Sequence, residues 1–200
     1  MNRTRRLRVI IKYSDMEVSE KDFTLSKVKL LPKGGIQAEY QVMQVVGEEA
    51  TVIDRSETSS RDVHPDLLGL FESLRAIVAR VLNITAFLSL TDGIGLNESQ
   101  VQSLRDYAEL LTKNIDVRGV SWSGTDENEG VVITAVLETP NGLKTCVNTP
   151  RIKLGQVSFG FEEELSKIVS EIDSEVYAYL FQGKQAQLSL FGENNDLPEA

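Results

Sequence analysis

The stretch FTLSKVKLLPKGGIQAEYQVMQVV, residues 23–46, decides the fold class of this chain. It contains two strand-like runs, Phe23 to Leu31 and Ile36 to Val46, with Lys33-Gly34-Gly35 between them. Glycine accepts the positive backbone angles that a tight turn requires, so these residues favour a turn. The stretch therefore predicts two antiparallel strands that are neighbours in a sheet.

More strands are predicted on both sides of this pair. Residues 6–13 alternate, with Leu7, Val9 and Ile11 on one face, as a half-buried strand does. The run Ala50 to Arg55 follows the pair and extends the antiparallel meander. The first part of the chain is therefore predicted to be rich in β-structure.

Two helices are predicted after these strands. The first covers residues 64–82, where Pro65 and Asp66 suit the first turn. Its apolar residues recur at helical spacing and form one stripe: Leu67, Phe71, Leu74, Val78 and Val81. The second begins at Asn97, a residue type that caps helix N-termini, with Gln100 three positions later as in a capping box.

The C-terminal half repeats this order of elements. Strands are predicted at Val117 to Ser123, Gly130 to Leu137 and Leu143 to Leu154, and Asn141-Gly142 favours a tight hairpin turn between the last two. A long helix follows and runs to about Leu180. Its apolar stripe is predicted to contain Phe161, Leu165, Ile168, Ile172 and Val176, and its opposite face Glu162, Glu163, Ser170 and Ser174.

These elements predict an α+β fold in which long helices pack on one face of one or more antiparallel sheets. Three strands and a helix in the first half recur as three strands and a helix in the second. At an offset of 94 the two long helices pair Leu67 with Phe161, Phe71 with Leu165, Leu74 with Ile168 and Val78 with Ile172. The pattern indicates either a duplicated βββα unit or merely two similar hydrophobic patterns.

Two small halves and a tail are the predicted organisation. The first half, residues 1–95, contains the helix at 64–82, and the second, residues 96–181, contains a further helix and a βββα unit. Residues 182–200 form a polar tail with a binding motif. A single merged domain over residues 1–181 is the alternative, since a chain of this length builds one or two cores.

Composition excludes several classes of protein. With 41% hydrophobic and 26% charged residues among 200, the chain is neither disordered nor collagen-like. No apolar run approaches the ~18 residues of a membrane helix, and no secretory signal is recognised, so we expect a cytoplasmic protein without a membrane partner. The lone Cys146 and the lone His64 exclude an internal disulfide and an ordinary zinc site. We therefore predict no cofactor and no metal.

Charge is unevenly distributed along the chain. Residues 1–34 contain nine Lys or Arg against four Asp or Glu, a balance of +5, so the other 166 residues carry −14 and the whole chain −9. Since an acidic body repels nucleic acid, any contact with DNA is expected at the basic end. The candidate residues are Arg3, Arg5, Arg6, Arg8 and Lys12, joined by Trp122 as a stacking residue. The alternative is a charged edge strand and a tryptophan that belongs partly to the core.

Candidate catalytic residues are few. His64 stands at a helix start without an oriented partner, and Cys146 lies in a strand-like run with no nearby charge, which indicates an inert thiol, buried or half-buried. The carboxylates that could form the magnesium site of a nuclease are Glu162, Glu163, Glu164, Asp173 and Glu175. Three consecutive helical acids point in different directions, however, and are better explained by the positive end of the helix dipole. No catalytic residue is therefore assigned.

The tail contains the sharpest signal in the sequence. After the polar linker Gln182 to Ala186, the pentapeptide Gln187-Leu188-Ser189-Leu190-Phe191 places three large apolar residues in an otherwise polar end. An isolated apolar cluster on a tail is typical of a short linear motif that orders on a partner protein. A last edge strand on the sheet is the structural alternative.

This pentapeptide resembles the one by which bacterial polymerases, mismatch-repair proteins and replication regulators dock on the sliding clamp. It matches the residue that this family prefers at every position. The resemblance implies that Gln187 hydrogen-bonds in a polar subsite, that Leu190 and Phe191 fill an apolar cleft, and that Leu188 packs beside it. It covers five of the 200 residues and implies nothing about the folded body.

We therefore expect an accessory or adaptor protein of DNA replication, repair or recombination that docks on the bacterial sliding clamp through residues 187–191. A phage or mobile-element origin would fit a small protein that borrows or blocks a host replisome. Two alternatives stay open at this point. One is a metal-dependent nuclease with dispersed carboxylates, and the other is a nucleic-acid-binding module that uses the basic N-terminal strand.

Overall fold

Seven strands and three α-helices are described in the computed structural model, which covers residues 18–46, 49–84, 95–125, 128–139, 141–155 and 160–185. The strands are β1 (Phe23–Leu30), β2 (Ile36–Val46), β3 (Glu49–Ser59), β4 (Ile115–Ser123), β5 (Gly130–Glu138), β6 (Lys144–Asn148) and β7 (Ile152–Lys153). The helices are α1 (Pro65–Val81), α2 (Glu98–Lys113) and α3 (Glu162–Phe181). A short 3-10 helix, Glu20–Asp22, precedes β1.

The strands form one antiparallel sheet in the order β3-β2-β1-β4-β5-β6, and β7 also pairs with β5. Three residue pairs join the central strands β1 and β4, with Val28 opposite Val120 in the middle. Each half of the sheet is therefore a three-stranded meander, and the halves meet along β1 and β4. This arrangement confirms the predicted α+β fold with an antiparallel sheet.

The same pairing register occurs in both halves. β1 and β4 each contain a bulge, at Ser26 and at Arg118, two positions before the central pair. The pairs on either side of the bulges correspond: Phe23 faces Val42 as Ile115 faces Leu137, and Leu30 faces Ile36 as Trp122 faces Val131. Corresponding positions in β1 and β4 differ by 92, and those in β2 and β5 differ by 95. The sheet thus has the internal symmetry expected of a duplicated unit.

Two helices pack on one face of the sheet and cross between its halves. α1 packs on β4, α3 packs on β1, and the two helices pack against each other. The buried side chains of both halves belong to one hydrophobic cluster, which includes Val28, Val120, Leu74 and Ile172. Burial of this apolar surface is the main term that stabilises the fold. The described parts of the two halves therefore share a single core.

The helix starts follow the sequence signals. The predicted helix at 64–82 is α1, and the His64 imidazole caps it by accepting the Asp66 backbone N–H at 3.3 Å. The capping box predicted for α2 is confirmed, since Asn97 and Gln100 each accept the other's backbone N–H, at 2.9 and 3.0 Å. None of the described helices is both long enough and apolar enough to cross a membrane.

The run predicted as one strand, Leu143 to Leu154, is divided into β6 and β7. Thr149 lies between them, where its hydroxyl accepts the Ile133 N–H and its own N–H donates to the Ile133 carbonyl. Pro150 follows and has no N–H with which to continue the ladder. Cys146 is exposed, not buried or half-buried as expected, because β6 is a short edge strand.

One further boundary differs from the prediction. β3 extends beyond the predicted Arg55 to Ser59, because it pairs with β2 along its whole length. The long helices α1 and α3 begin 97 positions apart and end 100 apart, because α3 has 20 residues and α1 has 17. The eight apolar residues that the predicted offset of 94 pairs are all buried.

The turn between β1 and β2 depends on Gly35. Its φ is +82°, a conformation that other residues rarely adopt, and a Cβ atom would overlap the backbone carbonyl of Ser59 at the end of β3. Gly142, in the hairpin between β5 and β6, has the same φ of +82°, but no described atom lies within 4 Å of its Cβ position. A substitution at Gly142 therefore brings backbone strain alone, whereas one at Gly35 brings both backbone strain and steric overlap.

Alanine substitutions at these glycines test the turn. We expect Gly142→Ala to cost about 1 kcal/mol in the free energy of unfolding, from backbone strain alone. Gly35→Ala should cost roughly 3 kcal/mol or more, because the methyl group also meets the Ser59 carbonyl. Urea denaturation of both variants measures the difference, and equal losses of stability would contradict the described packing of this turn.

Candidate functional site

The pentapeptide that is predicted to dock on a partner, Gln187 to Phe191, lies outside the described residues. The predicted strand at 6–13 and the predicted DNA contacts at Arg3, Arg5, Arg6, Arg8 and Lys12 also lie outside them. The structure does describe the place where the folded body passes into the tail, up to Gln185. The described segment that precedes the pentapeptide in the chain is therefore the C-terminal end of α3 with residues 182–185.

Aromatic rings hold this end of α3 against the sheet. Phe181 packs edge-to-face on Phe23 of β1 and on Tyr40 of β2, with ring centroids 5.8 Å apart in both pairs. Tyr177, one turn earlier, packs on Phe23 at 5.6 Å and on Phe181 at 5.3 Å. Each such pair contributes roughly 1 kcal/mol beyond the area that it buries. The last turns of α3 are thereby fixed on the sheet.

Two tyrosine hydroxyls connect the same end of α3 to distant parts of the chain. Tyr179 donates to the Arg61 carbonyl at 2.5 Å, and its oxygen lies 2.9 Å from the Ser59 hydroxyl. Tyr177 donates to the Val18 carbonyl at 2.6 Å. Tyr179 is 1% exposed, so its hydroxyl would destabilise the fold without these partners. Sequence spacing could not predict them, since 120 positions separate Ser59 from Tyr179.

Lys184 attaches the segment after α3 to the start of α1. Its ammonium lies 2.8 Å from the Asp66 carboxylate and 2.7 Å from the Glu175 carboxylate. The hydrogen bond from Lys184 lowers the pKa of Asp66, and the hydrogen bonds to Asp66 and Glu175 raise the pKa of Lys184. All three side chains are partly exposed, so the pairs position the segment more than they stabilise the fold.

The same cluster offers three ligands of the kind that hold metal ions. Atoms of His64, Asp66 and Glu175 lie within 4.8 Å of one another. The ammonium of Lys184 already contacts both carboxylates, however, and His64 Nδ1 already accepts the Asp66 backbone N–H. A cation would therefore have to displace Lys184. We interpret the cluster as an ion-pair network at a helix start.

Trp122 lies on the face of the sheet that the helices cover. It is two positions from the fully buried Val120, pairs with the fully buried Val131, and packs half-buried against the core. Side chains two positions apart in a strand share a face. Trp122 therefore has the surroundings of a core residue and does not face outward with the residues of the opposite side.

On the face of the sheet opposite α1 and α3, the described residues combine both signs of charge. Its ion pairs include Lys27 with Glu39 at 2.8 Å and Lys144 with Glu138 at 3.1 Å. A surface of mixed sign attracts the nucleic-acid backbone less than a basic one does. The described part of this face thus resembles a solvated surface more than a binding site for DNA.

The five acids considered for a magnesium site are not brought together. Glu162, Glu163 and Glu164 start α3, whereas Asp173 and Glu175 lie roughly 15 Å further along the helix. Glu162, predicted on the exposed face, is instead 6% exposed. Its carboxylate accepts the Phe161 backbone N–H at 3.0 Å, close to the positive end of the helix dipole.

Comparisons of the chain with protein families, with curated proteins and with solved structures found no match. A function therefore has to be inferred from the residues of this chain. The residues from which a partner is predicted are those of the pentapeptide.

The pKa of Asp173 is shifted because its side chain lies between α3 and β1. Burial raises its pKa to about 6. The Leu25 backbone N–H donates to its carboxylate at 3.3 Å, which favours the ionised form but offsets only part of the desolvation. An acid whose pKa is higher in the folded chain stabilises the fold fully below about pH 4 and loses this contribution as the pH rises through about 6.

Asp173→Asn removes this titration. Between about pH 4 and pH 7, we expect the free energy of unfolding of the wild-type chain to fall by about 2 kcal/mol relative to the variant. Urea denaturation at several pH values measures the difference, with Asp54→Asn, at an exposed acid, as the control. Parallel pH profiles of wild type and Asp173→Asn would contradict the described burial.

Lys184→Met removes the ammonium but keeps most of the side chain. We expect backbone hydrogen exchange in residues 182–185 to become about tenfold faster, because the segment loses its contacts with Asp66 and Glu175. Lys167→Met is the matched control, since Lys167 lies on the exposed side of α3. Exchange that is unchanged in Lys184→Met would mean that the aromatic rings alone hold this segment.

Proposed function

We propose that this chain is an accessory or adaptor protein of DNA replication, repair or recombination that docks on the bacterial sliding clamp. The docking segment is Gln187 to Phe191. The observation that carries the proposal is this pentapeptide, which matches the docking sequence of clamp-binding proteins at every position. Its place supports the proposal, since it follows the long helix α3 by a polar linker of five residues, Gln182 to Ala186.

The chemistry of the pentapeptide suits a small, reversible interface. Leu190 and Phe191 supply apolar area that a cleft would desolvate, and the Gln187 amide offers both a donor and an acceptor that fix the register. An epitope of this size gives an affinity of micromolar order, about −8 kcal/mol. Such an affinity permits recruitment and release.

The attachment of the tail limits how far the body lies from its partner. Lys184 is held on Asp66 and Glu175, and the three residue steps from Lys184 to Gln187 span at most about 10 Å. Docking therefore brings the start of α1 close to the clamp. The body is presented in a restricted orientation, unlike a domain on a long flexible linker.

Charge favours recruitment by a protein over direct binding to DNA. The 166 residues after Gly34 carry −14, and a body of this charge is repelled by phosphates. A clamp that is already loaded on DNA would hold such a body there in spite of the repulsion. The acidic composition and the docking segment thus support the same role.

Calorimetry of the full chain with a bacterial sliding clamp tests the proposal. We expect a Kd of micromolar order for the wild type, and no detectable binding for the variant with Gln187→Ala, Leu190→Ala and Phe191→Ala. Leu197→Ala is the matched control, because it removes an apolar residue from the same tail outside the pentapeptide.

Two results would overturn the proposal. One is equal affinity of the wild type and the triple variant, and the other is the absence of binding by either protein. In the first case the clamp contacts another surface of the chain. In the second, the pentapeptide is a coincidence or a strand of the sheet.

A further inference from the structure

A cavity of about 370 Å³ lies between α1, the turn from β1 to β2, and the start of β4. Its apolar wall contains the buried side chains of Val63, Phe71 and Val117, together with Leu30 and Leu68. Small-molecule sites in proteins have volumes from about 300 Å³ upward and are mostly apolar. The cavity therefore has the size and the lining of a site for a small organic molecule.

Part of this apolar wall is left in contact with solvent. Leu68, in the first turn of α1, is 41% exposed. Gly34 and Gly35 line the cavity from the turn between β1 and β2, and they have no side chains that could fill it. A molecule in the cavity would cover apolar area at Leu68, and this burial favours binding.

Five charged side chains surround the apolar wall, and four of them form two ion pairs. Arg75 pairs with Glu72 at 3.3 Å, and Arg118 pairs with Asp116. The fifth, Asp62, forms no hydrogen bond or ion pair with any described residue. With three carboxylates and two guanidinium groups, the lining has a net charge of −1. The unpaired group is a carboxylate.

The carboxylate of Asp62 lies beside the turn between β1 and β2. A Cβ atom added to Gly34 would be 3.1 Å from Asp62 Oδ1. Lys33 precedes this glycine but does not line the cavity. Asp62 is also exposed, so a cation that enters the cavity from solvent can reach its carboxylate.

An anion would have to break one of the two ion pairs. Both guanidinium groups already contact a carboxylate, and the whole chain carries −9. A net negative charge raises the local concentration of cations and lowers that of anions. The charges of the cavity and of the chain therefore both favour a cationic ligand.

We propose that this cavity binds a small organic cation, in which an apolar body carries one ammonium group. The apolar body lies on Leu68 and Phe71, and the ammonium pairs with Asp62. Apolar contacts supply most of the affinity, whereas the single carboxylate selects the charge of the ligand. This proposal does not rest on the docking pentapeptide.

Titration of the full chain with phenethylamine, followed by nuclear magnetic resonance, tests the proposal. We expect the backbone amide signals of Gly34, Gly35 and Val63 to shift together and to give a Kd of about millimolar order. The matched probe is 3-phenylpropanoate, which has the same phenylethyl skeleton with a carboxylate in place of the ammonium. It should bind at least about tenfold more weakly, because Asp62 repels it.

Asp62→Asn removes the unpaired charge and keeps the shape of the side chain. We expect this variant to bind phenethylamine at least about tenfold more weakly than the wild type. Asp54→Asn is the control, since it removes the same charge from an exposed position of β3 outside the cavity, and it should change the affinity less than about twofold. The urea midpoint of Asp62→Asn should stay unchanged, because Asp62 has no partner among the described residues.

Amide shifts that are confined to the cavity and lost in Asp62→Asn support the proposal. Equal affinity for the two probes would overturn it, and so would equal affinity of the wild type and Asp62→Asn for phenethylamine. Two further results contradict it. One is a set of shifts spread over acidic residues elsewhere in the chain, and the other is the absence of shifts at about 20 mM phenethylamine.

Discussion

Three residue pairs between β1 and β4, centred on Val28 and Val120, hold the two halves of the sheet together. A contact this short provides few backbone hydrogen bonds, whereas β1 pairs with β2 along almost its whole length. The crossed helices add what the strands lack. α1 lies on β4 and α3 lies on β1, so removal of either helix would expose apolar residues of the other half. The sheet, both helices and the start of the tail all depend on this junction.

The individual elements could be predicted because their signals are local. Asn97 and Gln100 form the capping box that their spacing indicates, and the predicted apolar stripes of α1 and α3 are buried except for the half-buried Val81. Strand order and register could not be predicted, because Val28 and Val120 are 92 positions apart and no local pattern pairs them. The division at Pro150 was readable in principle, since proline has no N–H to donate to a ladder.

The candidate site also has one part that the sequence could predict and one part that it could not. A linear motif is contiguous, so its residues are visible in the sequence without any knowledge of the fold. The contacts that hold the segment before this motif are not visible in the sequence, because Lys184 and Asp66 are 118 positions apart. Glu162 shows that helical periodicity does not predict the burial of every side chain. Spacing placed its Cβ on the polar face of α3, but the carboxylate folds back to the Phe161 N–H and is buried.

The junction between the halves also has a consequence for biosynthesis. Val28 is synthesised 92 positions before its partner Val120, which at about 5–20 residues per second leaves the inner edge of β1 unpaired for roughly 5 to 20 s. An unpaired strand edge is a template for association with other chains. We therefore expect the nascent first half to associate with other chains more readily than the completed sheet does. The order of the strands in the sheet thus makes the completion of the sheet a late step in translation.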